Sequence, residues 1–228
     1  MNGTMTWEEI QAELDRVVSG PALIDALLDR DDFWKSDERC VVRAAVYLHE
    51  QGKSAESIRV IDAVNRREQP LPPKAKMLLR YLCGDALHDV GDFFGAAEVY
   101  GEILKLEPSD IAYGNRGLAY WEMGEFQKAL DDYLEAVKWN PLNAIALRGA
   151  GEMLIKLDRP AEAACHLEAA VKLDPKYGPA YRALGVAYDN CEEWLKSYQA
   201  LKHAVEINPE DKASAAGIAK IERLFDLA

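Results

Sequence analysis

The chain has little of what most enzymes and membrane proteins need. Its 228 residues include four cysteines, which are scattered and form no CxxC pair. It contains no GxSxG or HExxH motif and no glycine-rich phosphate loop. No apolar run approaches the roughly 18 residues that a membrane-spanning helix requires. We therefore expect no catalysis, no cofactor and no membrane insertion, and we expect the cysteines to be free thiols in a reducing cytosol.

Positive charge is also scarce. The chain has 27 lysines and arginines against 39 acidic residues, which gives a formal net charge of −12. Such a charge disfavours binding to nucleic acids and to anionic membrane surfaces. The first four residues lack the basic and apolar character of a secretion signal. These features predict a cytoplasmic protein whose partner is another protein or a peptide.

Glycine and proline recur with a fixed period. Four glycines are each followed at the same distance by a proline. The glycines are Gly84, Gly117, Gly151 and Gly185, and the prolines are Pro108, Pro141, Pro175 and Pro209. Small residues stand midway between them, at Ala96, Ala129, Ala163 and Ser197. The interval between successive glycines is about 34 residues, a period that predicts stacked pairs of helices.

At these residues the chain closely resembles the tetratricopeptide repeat (TPR) family, over residues 77–210. The resemblance implies an all-α fold, a right-handed superhelical solenoid of helix-turn-helix repeats. With a degenerate fifth repeat and elements at both ends, we expect about 13 helices. In each repeat the glycine would let the first helix approach the small residue of the second, and the proline would end the second helix. Arg80 and Arg116 depart from the pattern by placing cations where the family has apolar side chains. We expect them to extend towards solvent or to mark looser contacts.

The repeats define a domain organisation. We predict an N-terminal helical hairpin cap, a degenerate repeat with a proline-rich loop, four regular repeats and a C-terminal capping helix, at residues 1–36, 37–73, 74–210 and 211–228. A capping box formed by Thr6 and Glu9 would begin the first helix. Terminal elements of this kind cover the apolar ends of a solenoid.

The degenerate repeat has Ala45 in place of the glycine. The distance from Ala45 to Gly84 is longer than the regular period, because the Pro70–Pro73 segment lengthens the connection. We predict that this segment is a stiff spacer, with a binding loop as the alternative.

A binding site follows from the resemblance, because the first helices of TPR proteins line a concave groove that holds peptides. The positions of this chain that fall in the groove are Tyr81, Asp85, His88, Leu118, Trp121, Glu122, Arg148, Glu152, Ile155 and Arg182. We expect Trp121 to be the main anchor, since aromatic side chains dominate binding hot spots. The alternative is that the charged members only solvate an exposed helix face.

Two narrower sites are possible in principle. His49 and His88 occupy equivalent places and could hold a metal with nearby carboxylates, but we favour histidines hydrogen-bonded to those carboxylates, with no metal. A clamp for the acidic tails of heat-shock chaperones would need Lys, Asn, Asn, Lys and Arg, and only Asn115 matches. Such tails are therefore not the expected ligand.

These observations predict a non-catalytic adaptor or scaffold that binds a protein or peptide segment. The alternatives are a dedicated client chaperone, similar to the TPR secretion chaperones, and a self-assembling scaffold.

Overall fold

The computed structural model describes residues 4–19, 23–34, 38–67 and 71–225. These residues form helices joined by short turns, and no strand occurs among them, which confirms the all-α class. Fourteen helices lie in the described ranges. One of them is a single turn, and the others are the thirteen that were predicted. The chain divides into two compact units, Met1–Glu107 and Pro108–Ala228.

The first unit contains seven helices. They are α1 (Trp7–Ser19), α2 (Leu23–Leu28), α3 (Asp31–Trp34), α4 (Glu38–Glu50), α5 (Ser54–Arg66), α6 (Pro73–Asp89) and α7 (Phe93–Leu106). The capping box at α1 is confirmed, because Glu9 accepts a hydrogen bond from the Thr6 amide at 2.8 Å and the Thr6 hydroxyl accepts one from the Glu9 amide at 3.3 Å. Helices α1 and α2 pack on α4 and α5.

The single turn α3 was not predicted. It directs Phe33 and Trp34 into the core, where both are buried. The Trp34 indole donates a hydrogen bond to the Leu28 carbonyl at 2.7 Å. Burial of two aromatic rings stabilises a turn that intrinsic propensity alone would not.

The proline-rich connection is only partly a loop. Pro73 is the first residue of α6, a position where the fixed φ of proline suits a helix and its missing amide proton is not needed. As a result α6 has 17 residues, one turn more than the 13 of α4. Pro70 lies outside the described residues.

The second unit contains the regular repeats. Its helices are α8 (Asp110–Glu122), α9 (Phe126–Trp139), α10 (Ala144–Lys156), α11 (Pro160–Leu173), α12 (Gly178–Asn190), α13 (Trp194–Ile207) and α14 (Lys212–Leu224). Helices α8, α10, α12 and α14 begin at equal intervals along the chain. Helix α14 packs against α12 and α13, as α12 packs against α10 and α11. It therefore occupies the place of the first helix of one further repeat.

The glycines mark close contacts between the paired helices. A side chain at Gly151 would place its Cβ 2.5 Å from Leu167 Cγ, and one at Gly185 would come equally close to Leu201 Cγ. The glycines thus face a large residue one turn beyond the small residue that the sequence had suggested. The small residues are fully buried beside them, and Ser197 donates a hydrogen bond to the Gly185 carbonyl at 2.8 Å.

The two arginines that depart from the repeat pattern behave differently. Arg80 is exposed, as expected. Arg116 instead donates two hydrogen bonds of 2.7 Å from α8 to the buried carboxylate of Asp132 on α9. Its guanidinium also lies near the rings of Tyr113 and Tyr120. The expectation of a solvent-directed or loosely packed Arg116 was wrong, because the facing helix supplies a carboxylate within reach of its side chain.

No helix in the described ranges combines the length and apolar character that spanning a membrane would demand.

Candidate functional site

The first helices of the second unit line an open groove of about 530 Å³. Helices α8, α10 and α12 contribute most of its surface, with α14 at one end and α13 beneath. Its lining consists of Trp121, Arg148, Glu152, Ile155, Lys156, Arg182, Ala183, Gly185, Val186, Asp189, Leu201, Ala213 and Gly217. Five of the ten groove residues predicted from the sequence are among them: Trp121, Arg148, Glu152, Ile155 and Arg182.

Apolar side chains from the first helices of three successive repeats face this groove. Trp121 comes from the last turn of α8, Ile155 from the last turn of α10 and Val186 from the middle of α12. Trp121 is 37% exposed and Val186 is 41% exposed. Large apolar side chains left partly open in a concave surface provide area that a ligand can cover.

The other two predicted residues of α8 lie outside this lining. Leu118 is partly buried, and Glu122 is exposed to solvent. Both sit on the helix that carries Trp121, but neither borders the groove that α8 forms with α10, α12 and α14.

Arg148 is held by its own neighbours. One of its terminal nitrogens lies 2.6 Å from both carboxylate oxygens of Glu152, and its Nε donates to the Tyr177 hydroxyl at 2.7 Å. Burial alone would lower the pKa of Arg148, but the Glu152 carboxylate and Tyr177 outweigh burial and raise it. Arg148 and Glu152 therefore form a fixed ion pair on the groove wall, where the sequence had suggested separate charges.

Arg182 repeats this arrangement one repeat later. It donates to Asp211 at 3.3 Å, and Asp211 caps α14 by accepting a hydrogen bond from the Ser214 amide. Tyr177 holds the equivalent capping position of α12. Each arginine thus links one first helix to the start of the next. Arg182 remains 43% exposed, so it can still contact a ligand.

The groove also contains an acceptor without a donor. The Oδ2 atom of Asp189 lies 2.6 Å from the Lys220 ammonium of α14. Its Oδ1 atom is buried and has no hydrogen-bond partner among the described residues. An unsatisfied buried acceptor of this kind costs free energy in the folded chain.

Sequence reasoning missed the end of the groove near α14. Ala183, Gly185, Ala213 and Gly217 leave a slot there, above the side chain of Leu201. Gly217 is in close contact with Leu201, since a Cβ added to it would lie 2.7 Å from Leu201 Cδ1. The signal that could have found this slot is the regular repeat spacing from α12 to α14, which was interpreted only as a cap.

Three of the predicted groove residues, Tyr81, Asp85 and His88, lie on α6 in the first unit. Asp85 accepts a short hydrogen bond from the hydroxyl of Tyr100. The His88 ring packs edge-on against Phe93, with 5.1 Å between ring centroids, and its Nε2 atom has no partner among the described residues. Asp85 and His88 therefore both contact α7, the partner helix of α6.

The two histidines considered for metal binding do not pair with each other. His49 lies 3.2 Å from the Ser54 hydroxyl and 3.5 Å from Asp89, and Ser54 donates to Asp89 at 2.8 Å. Within the described ranges no group of three potential metal ligands is found. The hydrogen bond of His49 is thus to Ser54, which in turn bonds the Asp89 carboxylate, and the Nε2 atom of His88 bonds no carboxylate among the described residues.

Comparison with known proteins adds the family. A model described as "Tetratricopeptide repeat" matches residues 81–138 and 115–178. Human tetratricopeptide repeat protein 28 is 38% identical over 92 residues, which is 40% of this chain and 4% of the relative. A small glutamine-rich tetratricopeptide repeat-containing protein of Mycosarcoma maydis is 24% identical over 137 residues, 60% of this chain and 29% of the relative. The chain thus covers only a small part of these relatives.

Solved structures agree on the fold. A tetratricopeptide repeat protein from Parabacteroides merdae superposes with a TM-score of 0.69 at 20% identity, covering 82% of this chain and 72% of the other. YrrB, a TPR protein with an unusual peptide-binding site, gives 0.63 at 18% identity, covering 79% and 91%. The regular phase of the repeats, the paired helices and these matches lead to one conclusion: the chain contains tetratricopeptide repeats, which the family model matches over residues 81–178.

Proposed function

We propose that this protein is a non-catalytic adaptor or scaffold that binds a peptide or protein segment in the groove of its second unit. One observation carries the proposal. Trp121, Ile155 and Val186 present a partly exposed apolar strip in a concave surface. Most charged side chains of that surface are held by internal ion pairs, which involve Arg148, Glu152, Arg182 and Asp189. A prearranged surface of this kind loses little conformational entropy when a ligand binds.

Similar proteins support this direction. The first TPR domain of the protein Spaghetti has been solved with a heat-shock peptide, and its structure superposes with a TM-score of 0.51 at 19% identity. YrrB is described by its peptide-binding site. The ligand of this chain should differ from those heat-shock peptides, because Asn115 is the only one of the five clamp residues that the chain has.

The titratable groups of the groove also favour binding over catalysis. Glu152 is paired with Arg148, and Asp189 with Lys220. Such ion pairs hold side chains in place and do not supply a free proton donor beside a free acceptor.

The test is capture of partners by matched variants. We expect Trp121→Ala with Val186→Ala to weaken binding by about 2 kcal/mol, the usual hot-spot threshold, because these side chains supply the exposed apolar area. Trp139→Ala is the control, since Trp139 ends α9 outside the groove and is 55% exposed. Partners would be captured from a native lysate, identified by mass spectrometry and titrated as purified segments.

A partner that binds the Trp121 and Val186 double variant at full strength would contradict the groove assignment. Peptide mapping of the captured segment separates an adaptor from a client chaperone, the alternative function, because a chaperone would hold an apolar stretch of a single client.

A self-assembling scaffold is the second candidate, and the end of the second unit favours it. Helices α13 and α14 leave Leu195, Leu224 and Phe225 more than half exposed. Gel filtration over a concentration series decides the matter: growth of the assembly with concentration supports self-assembly, and a constant monomer supports an adaptor.

A further inference from the structure

The first unit contains a cavity that the proposed function does not use. It has a volume of about 580 Å³, within the range of small-molecule sites. It lies between α5, α6 and α7, and its lining consists of Ile61, Val64, Asn65, Leu71, Lys76, Leu79, Arg80, Cys83 and Val99.

The cavity coincides with a departure from the repeat pattern. One turn before the repeat glycine stand Arg80, Tyr113, Leu147 and Tyr181. In the second unit Leu147 is buried in a core cluster, and Val137 of the preceding second helix packs against that cluster. The corresponding Arg80 is exposed, and Cys83 is a small side chain one turn further on. Helix α6 therefore lacks the apolar volume that would fill the space against α5.

Aliphatic side chains border the inner part of the cavity. Ile61, Val64, Leu71 and Leu79 are all buried in the folded chain, yet they border this space. Burial raises the pKa of the Cys83 thiol to about 11, so this group is neutral at pH 7 and adds no negative charge. An apolar group of a ligand would gain contacts here that the chain itself does not provide.

The rim of the cavity is cationic. Lys76 and Arg80 lie one turn apart on α6, and within the described residues neither side chain forms an ion pair or hydrogen bond. Among the described residues that line the cavity none is acidic, and the Asp62 carboxylate, which adds to the rise of the Cys83 pKa, lies outside the lining. Lys76 and Arg80 are thus two cations at one site in a chain of net charge −12. They complement an anionic group placed at the mouth of an apolar space.

We propose that this cavity binds a small anionic amphiphile, such as a medium-chain carboxylate. Its hydrocarbon tail lies against Ile61, Val64 and Leu79, and its carboxylate accepts hydrogen bonds from Lys76 and Arg80. The proposal is independent of the groove in the second unit.

Decanoate, titrated calorimetrically into the full chain, is the probe. We expect saturable binding to one site, and about tenfold weaker binding to the double variant Lys76→Gln, Arg80→Gln, because two charge-assisted hydrogen bonds are lost. The matched control, Lys53→Gln with Lys105→Gln, removes the same charge from the first unit outside the cavity and should bind decanoate as the wild type does. Decanol, which has the chain without the charge, should not distinguish the wild type from the Lys76 and Arg80 variant.

A second variant tests the apolar part. Cys83→Leu adds volume inside the cavity and should abolish decanoate binding while circular dichroism shows an unchanged helical content. The Trp121→Ala, Val186→Ala variant of the groove should bind decanoate normally, so failure of the groove assignment and failure of this proposal are distinguishable. The proposal is overturned if the wild type shows no saturable decanoate binding, or if the Lys76 and Arg80 variant binds it as tightly as the control does.

Discussion

Arg116 and Asp132 show how one residue pair modifies a repeat. Asp132 is buried between α8 and α9, and burial raises the pKa of its carboxyl while the Arg116 guanidinium opposes that shift. The two parallel hydrogen bonds between them satisfy the geometry of a bidentate pair. A buried ion pair of this kind adds little to the free energy of unfolding compared with apolar residues of equal size. Removal of only one partner is costly, because the other charge is then left without a counter-charge.

We therefore predict that Asp132→Ala lowers the free energy of unfolding by about 3 kcal/mol, because Arg116 keeps its charge in a partly buried place without a partner. The double variant Arg116→Met, Asp132→Leu should recover most of that loss. Denaturant melts of the wild type and the two variants measure the loss and the recovery. Asp131→Ala, a change at the exposed neighbour, is the control and should have little effect. A loss below about 1 kcal/mol for Asp132→Ala would contradict a structural ion pair.

Asp211 is a second residue whose charge supports an element. Burial by itself would raise the pKa of Asp211, but hydrogen bonds from Ser214 and the charge of Arg182 outweigh burial and lower it. Because the folded-state pKa is lowered, the contribution to stability is present above the ordinary aspartate pKa. It is lost as the pH falls through the folded-state value.

At neutral pH we expect Asp211→Ala to cost about 1–2 kcal/mol, the range for loss of a helix N-cap. The difference from the wild type should shrink as the pH falls below about 4, where the wild-type carboxyl also loses its charge. Urea melts at pH 7 and at successively lower pH values measure both quantities. A difference that stays constant with pH would mean that the carboxylate charge has no part in capping α14.

At the scale of elements, the turns between paired helices share one backbone conformation. Gly91 and Gly124 have φ values of 82° and 76°, in the left-handed region that glycine adopts easily. The equivalent residues of the next two repeats are Asp158 and Glu192, at 57° and 60°. A glutamate suffers a steric penalty there that aspartate partly avoids.

Glu192→Gly should therefore stabilise the protein by about 0.5–1 kcal/mol, the relief of left-handed strain being partly offset by the greater freedom of glycine in the unfolded chain. Gly124→Ala, the reverse change at the matching turn, should destabilise it by a similar amount. Both effects are measurable in the same denaturant series. If Glu192→Gly destabilises the chain, the side chain of Glu192 has a stabilising role that the turn geometry does not reveal.

The elements also show what sequence reasoning can and cannot supply. The phase of the repeats predicted the helix pairs and placed Trp121, Ile155 and Arg182 in the groove, because position relative to the repeat glycine determines which face a residue occupies. It did not predict α3 or the extra turn of α6, which depend on burial of Phe33 and Trp34 and on the position of Pro73. Nor did it predict the arginine contacts to Tyr177 and Asp211, since a period identifies a face but not the partner that a long side chain reaches.

At the scale of the whole molecule, α14 serves two purposes. It covers the last repeat, where Leu201 and Ile221 are buried, and its residues Ala213 and Gly217 form one end of the groove. Its outer surface remains apolar at Leu224 and Phe225. We predict that α14 acts as a cap, because each repeat of a solenoid buries its apolar face only against a neighbour.

Removal of residues 212–228 should therefore have two consequences. The exposed side of α13 should cause self-association, visible as a higher apparent mass in gel filtration, and the groove should lose its end wall and bind the captured partner more weakly. The variant Leu224→Ser is the matched control, since Leu224 is 58% exposed on α14 and its replacement should leave melting and binding unchanged. Leu201 of α13 is only 4% exposed in the intact chain, and Gly217 of α14 packs directly against it. Removal of α14 should therefore expose the Leu201 side chain. A truncated chain that remained monomeric, melted as before and held its partner would show that α14 neither caps the repeats nor completes the groove.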